Sequence, residues 1–239
     1  MIDRLPILAL LLLASLPAVA AAPTTQRNFS INGFDRIRID GPYQVDLKTN
    51  VAPFARARGT AVSLDNVSIK VEGRTLVVRS GNGGWGGYPG EGRGPVTIEV
   101  GTHDLGAAYI NGPGSLGIDR VKGLSFELSI QGAGTARIDR VDVDQMKVGI
   151  SGSGSSRLAG RVAKLTTTVR GTSSLDADGL QARDAVIGAE GPSIVRTQVT
   201  NSAKVDANGL ASVTLTGNPA CTVKAQGSAN VVGCKQNSR

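Results

Sequence analysis

The chain reads NGPGSLGI at residues 111–118, QGAGTARI at 131–138 and SGSGSSRL at 151–158. The first glycine of each segment recurs at a step of 20 residues, at Gly112, Gly132 and Gly152. The pattern continues at 170–175 with a slightly shorter step, and degraded copies follow at 189–195 and 226–232. A repeat of this length is typical of a solenoid, in which each unit packs only against its neighbours.

The residues inside one period predict β-strands. Residues 124–130 (LSFELSI) alternate apolar and polar side chains, as half-buried strands do, and 146–150 and 165–169 repeat the pattern. We therefore expect Ile130, Ile150 and Val169 to stack in one buried column. A second buried column is expected to hold four residues: Ile118, Ile138, Leu158 and Leu175.

One period per coil predicts an all-β fold, a parallel β-helix with about 20 residues per coil. With coils ~4.8 Å apart, residues 110–239 would form about six coils and a rod of roughly 30 Å. Aliphatic side chains fill such an interior and glycines turn its corners, in keeping with 3% aromatic residues and 32 glycines. The alternative, an antiparallel β-sandwich, leaves the constant step unexplained.

The N-terminal part of the chain lacks the repeat but still contains strand patterns. Terminal units of solenoids are atypical because they close the open core. We interpret residues 29–100 as an N-terminal β cap with the first coils, and 108–233 as the regular coils. With no charged or proline-rich linker between them, residues 21–239 are expected to form a single domain.

Residues 1–20 have the features of a signal peptide. Arg4 precedes an apolar run at 5–16, and small residues follow at 17–20. Cleavage is expected after Ala20, with Ala21 or Ala22 as alternatives. The run is too short to span a bilayer of ~30 Å as a helix. We therefore expect an exported protein without a membrane span, in the periplasm or at the cell surface or beyond it.

The chain has 26 Lys and Arg against 19 Asp and Glu, a formal net charge of +7. A basic surface attracts acidic polysaccharide, anionic lipid or nucleic acid, and an exported protein rarely meets the last. We expect an acidic polysaccharide or another envelope component as partner, and no nucleic acid. The alternative is a solvated basic surface that binds no specific partner, because the basic residues are scattered along the chain. The sequence does not indicate an oligomeric state.

Two cysteines, Cys221 and Cys234, lie near the C-terminus. In an oxidising compartment such a pair predicts one disulfide. Closing a loop of this size stabilises a protein by ~3 kcal/mol in the chain-entropy model. The only histidine, His103, is far away in sequence, so we expect no metal site. No cofactor-binding motif is present, since the repeated Gly-x-Gly steps are followed by strands rather than a helix.

The glycine-rich stretch at residues 81–94 contains the only tryptophan. A loop presenting Trp85, Tyr88 and Arg93 has the groups to stack on a sugar ring and to bind an acidic group, so these three residues are the candidate ligand-binding site. The alternative is a hairpin tip that binds nothing.

Several segments together resemble a known family: FDRIRIDGPYQVDL (34–47), GRTLVV (73–78), TIEV (97–100) and ISGSGS (150–155). The chain is similar over about residues 29–233 to the family called "putative auto-transporter adhesin, head GIN domain". The resemblance implies a right-handed parallel β-helix on exported bacterial proteins, and it carries over no catalytic residues.

The expected function is that of a non-catalytic, adhesin-like or scaffolding β-solenoid that binds a glycan or another envelope component. The alternative is a polysaccharide lyase or hydrolase, because parallel β-helices also support such enzymes. IDRV occurs at both 118–121 and 138–141, so Asp119 and Arg120 should align with Asp139 and Arg140. Such a charged ladder is more simply a set of solvated ion pairs. We therefore expect no catalytic residues.

Overall fold

The computed structural model describes residues 24–81 and 95–235. The predicted signal peptide lies outside these residues. The N-terminal elements are β1 (Thr25–Phe29), β2 (Arg36–Asp40), β3 (Gln44–Lys48), β4 (Phe54–Gly59), α1 (Ala61–Asp65), β5 (Val67–Glu72), β6 (Thr75–Ser80) and β7 (Thr97–Gly101). The elements that follow are β8 (Ala107–Asn111), β9 (Ser115–Ile118), β10 (Val121–Gly132), β11 (Thr135–Gly152), β12 (Ser155–Gly171), β13 (Ser174–Glu190), β14 (Ile194–Gly209), β15 (Ser212–Thr216), β16 (Ala220–Gly227) and β17 (Asn230–Val232).

The predicted β-solenoid is confirmed. It has about 6 turns, with parallel strands about 20 residues apart. Strands β10 to β14 each pair in parallel with the next, and β8 and β9 pair in the same way with β10 and β11. The fold follows from the sequence because every period presents the same alternation to the period before it.

Each coil has three faces. In β11 the alternation of buried and exposed side chains is broken by exposed pairs at 139–140, 144–145 and 151–152. We call the positions of residues 146–151 and their in-register partners face 1, those of 135–138 face 2, and those of 141–143 face 3. Faces 1 and 2 meet at a corner that begins with Gly152.

The first predicted core column is confirmed. Ile130, Ile150 and Val169 are in register and are 0%, 1% and 0% exposed. Three members of the second column, Ile118, Ile138 and Leu158, are also buried and in register.

The placement of Leu175 in the second column is wrong, since it lies opposite Ser156. The corner glycines set the register, because Gly171 pairs with Gly152. Residues at equal distances after the two glycines therefore lie opposite each other, and Ser156 and Leu175 are each the fourth residue after its glycine. Aligning Leu175 with Leu158, the sixth residue after its corner glycine, therefore shifts the register by two positions. The sixth residue after Gly171 is Ala177, which is buried.

The N-terminal coils do not stack in the order of the chain. Strands β2 and β3 lie between β6 and β7 on one side and β8 and β9 on the other. Beyond them β5 pairs antiparallel with β6, β4 with β7, and β1 with β4. One cluster of buried side chains runs from Phe34 to Leu215.

The predicted disulfide between Cys221 and Cys234 is confirmed, with a Cα–Cα distance of 5.7 Å. Cys221 lies in β16, opposite Ala203 of the preceding coil, and Cys234 follows β17. The bond therefore joins the two ends of the last described coil. No helix in the described part of the chain is long and apolar enough to cross a membrane.

Candidate functional site

The three residues predicted to bind a ligand, Trp85, Tyr88 and Arg93, lie outside the described residues. At the start of the segment that contains them, the Gly81 backbone N–H donates to the Asn66 carbonyl oxygen (2.9 Å). The ligand-binding role of the three side chains stays a prediction.

The predicted ladder of Asp119, Arg120, Asp139 and Arg140 has two rungs. Between Leu158 and Gly160 the next coil holds Ala159 alone, because a register irregularity shortens this corner. Asp119 Oδ1 accepts hydrogen bonds from the backbone N–H of Thr49 (3.0 Å) and of Arg120 (2.6 Å). Asp139 Oδ2 lies 3.1 Å from Arg137 Nη2. Both carboxylates are thus engaged by groups of the protein itself.

Asp184 carries the one clearly shifted pKa among the described residues. The Ser202 hydroxyl and the Asn201 amide each donate to Oδ1 (2.6 Å), and Arg183 Nε donates to Oδ2 (3.0 Å). These hydrogen bonds, that of Ser202 foremost, lower the pKa of Asp184 to about 2. Asp184 is therefore ionised at neutral pH and has no proton to give as a general acid.

A row of arginines runs along face 2. Arg137 of β11, Arg157 of β12 and Arg196 of β14 occupy one register position, with Asp176 of β13 between the last two. Outward and inward side chains alternate along a strand, so all four point to solvent. We call Arg137, Arg157 and Arg196 the arginine strip.

Two members of the strip, Arg137 and Arg157, form exposed ion pairs, and the third forms none within the described ranges. Arg157 Nε lies 3.0 Å from Asp176 Oδ2, and the side chains of Arg137 and Arg157 are 66% and 74% exposed. Arg196 has no ion pair with any described residue. Like charges directly opposite each other on paired strands destabilise a sheet, so the in-register position of Arg137 and Arg157 favours an anion beside them.

A column of hydroxyls runs beside the strip, two residues earlier on each strand. It consists of Ser115, Thr135, Ser155 and Ser174, which are in register. None of these hydroxyls bonds to another described residue, whereas their backbone N–H groups bond to the preceding coil, as Thr135 N does to Gly114 O (2.9 Å). A shallow pocket of about 390 Å³ lies over the strip and over Ser155 and Ser174 of this column, next to the exposed Ile194.

Sequence reasoning missed the arginine strip. The signal is present in the repeat: TAR, SSR and IVR at 135–137, 155–157 and 194–196 place arginine at one position once the corner glycines are aligned. The identical IDRV segments predicted a charged ladder at the neighbouring corner instead.

The family model described as "Putative auto-transporter adhesin, head GIN domain" matches residues 33–219. The chain belongs to this family. The resemblance inferred from the sequence is thereby confirmed. None of the curated proteins matches the chain significantly.

Solved structures similar to this head GIN domain protein share its fold. A protein from Bacteroides fragilis, described as a putative adhesin, is 14% identical, with a TM-score of 0.76 over 88% of this chain and 97% of that one. A Parabacteroides merdae protein, also described as a putative adhesin, is 16% identical, with a TM-score of 0.64 over 87% and 95%. A Parabacteroides distasonis protein described as a putative lipid binding protein is 18% identical, with a TM-score of 0.66 over the same shares.

Proposed function

We propose that this head GIN domain protein is an exported, non-catalytic, adhesin-like module that binds an acidic polysaccharide of the cell envelope. The arginine strip carries this proposal. The planar guanidinium group binds carboxylate and sulfate oxygens through two parallel hydrogen bonds, which suits it to acidic sugars. The adjacent hydroxyl column supplies neutral partners for sugar hydroxyl groups.

The dimensions of the strip suit an extended ligand. Arg137 and Arg196 are separated by three coil steps, on the order of 14 Å along the solenoid axis. A polymer with repeated anionic groups therefore has three cations to meet in one line. A ligand can replace the existing ion pairs of the strip at little cost in free energy, because exposed pairs contribute about 0–1 kcal/mol each.

The proposal also includes export of the protein, a further contact with the polysaccharide, and the absence of catalysis. Export is supported by the signal peptide predicted at residues 1–20. The Trp85 loop at 81–94 is proposed as a second contact with the polysaccharide. Absence of catalysis is supported by Asp119, Asp139 and Asp184, whose carboxylates are held by neighbouring groups. Release of reducing ends from acidic polysaccharides would favour the lyase or hydrolase alternative.

The test is binding of the purified protein to immobilised alginate, a polyuronate, at low and high salt. We expect a variant with Arg137→Gln, Arg157→Gln and Arg196→Gln to bind about tenfold more weakly, since each lost charged contact costs about 0.5 kcal/mol or more. Binding of the wild type should weaken as salt screens the charges.

The matched control removes three arginines of the regular coils that lie off face 2, by Arg161→Gln, Arg170→Gln and Arg183→Gln. Arg161 lies on face 3, Arg183 at the corner that follows face 3, and Arg170 on face 1. Each forms an exposed ion pair, so the net charge falls by the same amount. The control is expected to keep most of its affinity. Equal losses in both variants would show that net charge alone drives binding, and the strip would be no site.

A further inference from the structure

A cleft of about 570 Å³ lies on face 1, where the N-terminal coils meet the regular ones. Its centre is a depression in one column of side chains, in which Arg36, Ala107, Glu127 and Lys147 are in register on β2, β8, β10 and β11. Ala107 is so short that it leaves a gap between the longer Arg36 and Glu127. We call this space the Tyr109 cleft, after the residue that forms one wall.

Tyr109 gives the cleft an aromatic surface. Its ring lies two residues along β8 from Ala107 and is half-buried. It is held between neighbours on the adjacent strands, because Arg38 and Ser129 are its in-register partners. A tyrosine held in this way presents an apolar face to a ligand and a hydroxyl at its tip. The apolar face of a pyranose ring is suited to such a surface.

The charges of the cleft are not satisfied within the protein. The side chains of Arg36, Glu127 and Lys147 form no ion pair or hydrogen bond with another residue of the described ranges. The remaining carboxylate at the wall, Asp35, is paired with Arg74 (2.5 Å). Two free cations therefore face one free carboxylate, and the cleft has one positive charge in excess.

We propose that the Tyr109 cleft is a second binding site, which takes a single pyranose unit bearing one carboxylate, a hexuronic acid. The ring stacks on Tyr109, and the carboxylate is bound by Arg36 over the gap above Ala107. Lys147 lies on the far side of Glu127, where it offsets the charge of the Glu127 carboxylate. Glu127 and the neighbouring Gln145 accept and donate hydrogen bonds to the ring hydroxyls. The volume of the cleft is typical of small-molecule sites. The proposal concerns another face than the arginine strip and is independent of it.

The test is a ¹H–¹⁵N NMR titration of the purified protein with glucuronate and, separately, with glucose. The two sugars share a ring and differ in the carboxylate. We expect glucuronate to shift the amide signals of Ala107, Tyr109 and Glu127 with a Kd on the order of 1 mM. Glucose should bind at least about tenfold more weakly, because it has no carboxylate for Arg36 to bind. Absence of shifts at these residues overturns the site, and equal affinity for the two sugars overturns the assigned ligand.

Variants separate the cleft from general effects on the surface. Ala107→Leu fills the depression, and Thr222→Leu places the same side chain at the far, exposed end of the same column. We expect the first to abolish the glucuronate shifts and the second to leave them unchanged. If Ala107→Leu disturbs the fold, Tyr109→Ala makes the same test by removing the stacking surface. A Tyr109→Ala variant with wild-type affinity contradicts the proposal.

Discussion

Gly152 turns the chain from face 1 to face 2 with a φ of +111°, a backbone conformation that side chains with a Cβ rarely adopt. A Cβ at this position would lie 2.8 Å from the carbonyl oxygen of Gly132 in the preceding coil. That oxygen also accepts the Ser153 N–H (3.0 Å), so it cannot move freely. We expect Gly152→Ala to lower the free energy of unfolding by about 1–3 kcal/mol, measured by urea denaturation.

Gly149→Ala is the control for this substitution. Gly149 lies in the middle of face 1 with nothing within 4 Å of a Cβ and without a positive φ. An alanine there should leave the stability unchanged or raise it, because it restricts the unfolded chain. If both alanine variants lose the same stability, the corner geometry is not what requires Gly152.

Single residues also show where sequence reasoning succeeds. The corner glycines are predictable because their conformation and close contacts allow one residue type, whereas the arginine strip consists of exposed side chains that the fold does not require. That these arginines form one row can be recognised only once the register of the strands is known. Tyr109 is harder still to find, since Arg36 joins it in the cleft from a distant part of the sequence.

At the scale of elements, the last coil depends on the disulfide. Strands β16 and β17 each pair with the coil before them and with no later one in the described chain. We expect the double variant Cys221→Ala, Cys234→Ala to lose about 3 kcal/mol. Because solenoid coils interact with their nearest neighbours, the loss should be local. Hydrogen exchange should become faster at 220–232 and stay slow in β10 to β13. Uniform loss of protection would contradict nearest-neighbour stability.

The same nearest-neighbour logic explains why the regular coils could be predicted and the N-terminal coils could not. In β10 to β14 each strand pairs with the segment about one period later, so the pattern of the sequence gives the pairing directly. Strands β2 and β3 pair with β8 and β9 across long stretches of chain, as the hydrogen bond from Asn111 Nδ2 to Asp40 Oδ1 (2.6 Å) illustrates. No local pattern specifies which distant strand completes their register.

At the scale of the whole molecule, the solenoid places two of its proposed sites on different faces. The Tyr109 cleft belongs to face 1 and the arginine strip to face 2, and the row of corner glycines separates them. The rigid, closely packed coils between them offer no obvious means for one site to change the other. A polysaccharide chain on the strip and a uronate unit in the cleft should therefore bind independently.

This independence gives a competition experiment. We expect saturating glucuronate, added at constant ionic strength, to leave the affinity for immobilised alginate unchanged within about twofold, since the coupling free energy between the sites should be near zero. The arginine strip variant should still give the full glucuronate shifts in the NMR titration, and Tyr109→Ala should still bind alginate. Displacement of alginate by glucuronate would mean that the two ligands share one site. If the arginine strip variant then keeps its glucuronate shifts, that site is the cleft on face 1, and the polymer has to be placed there.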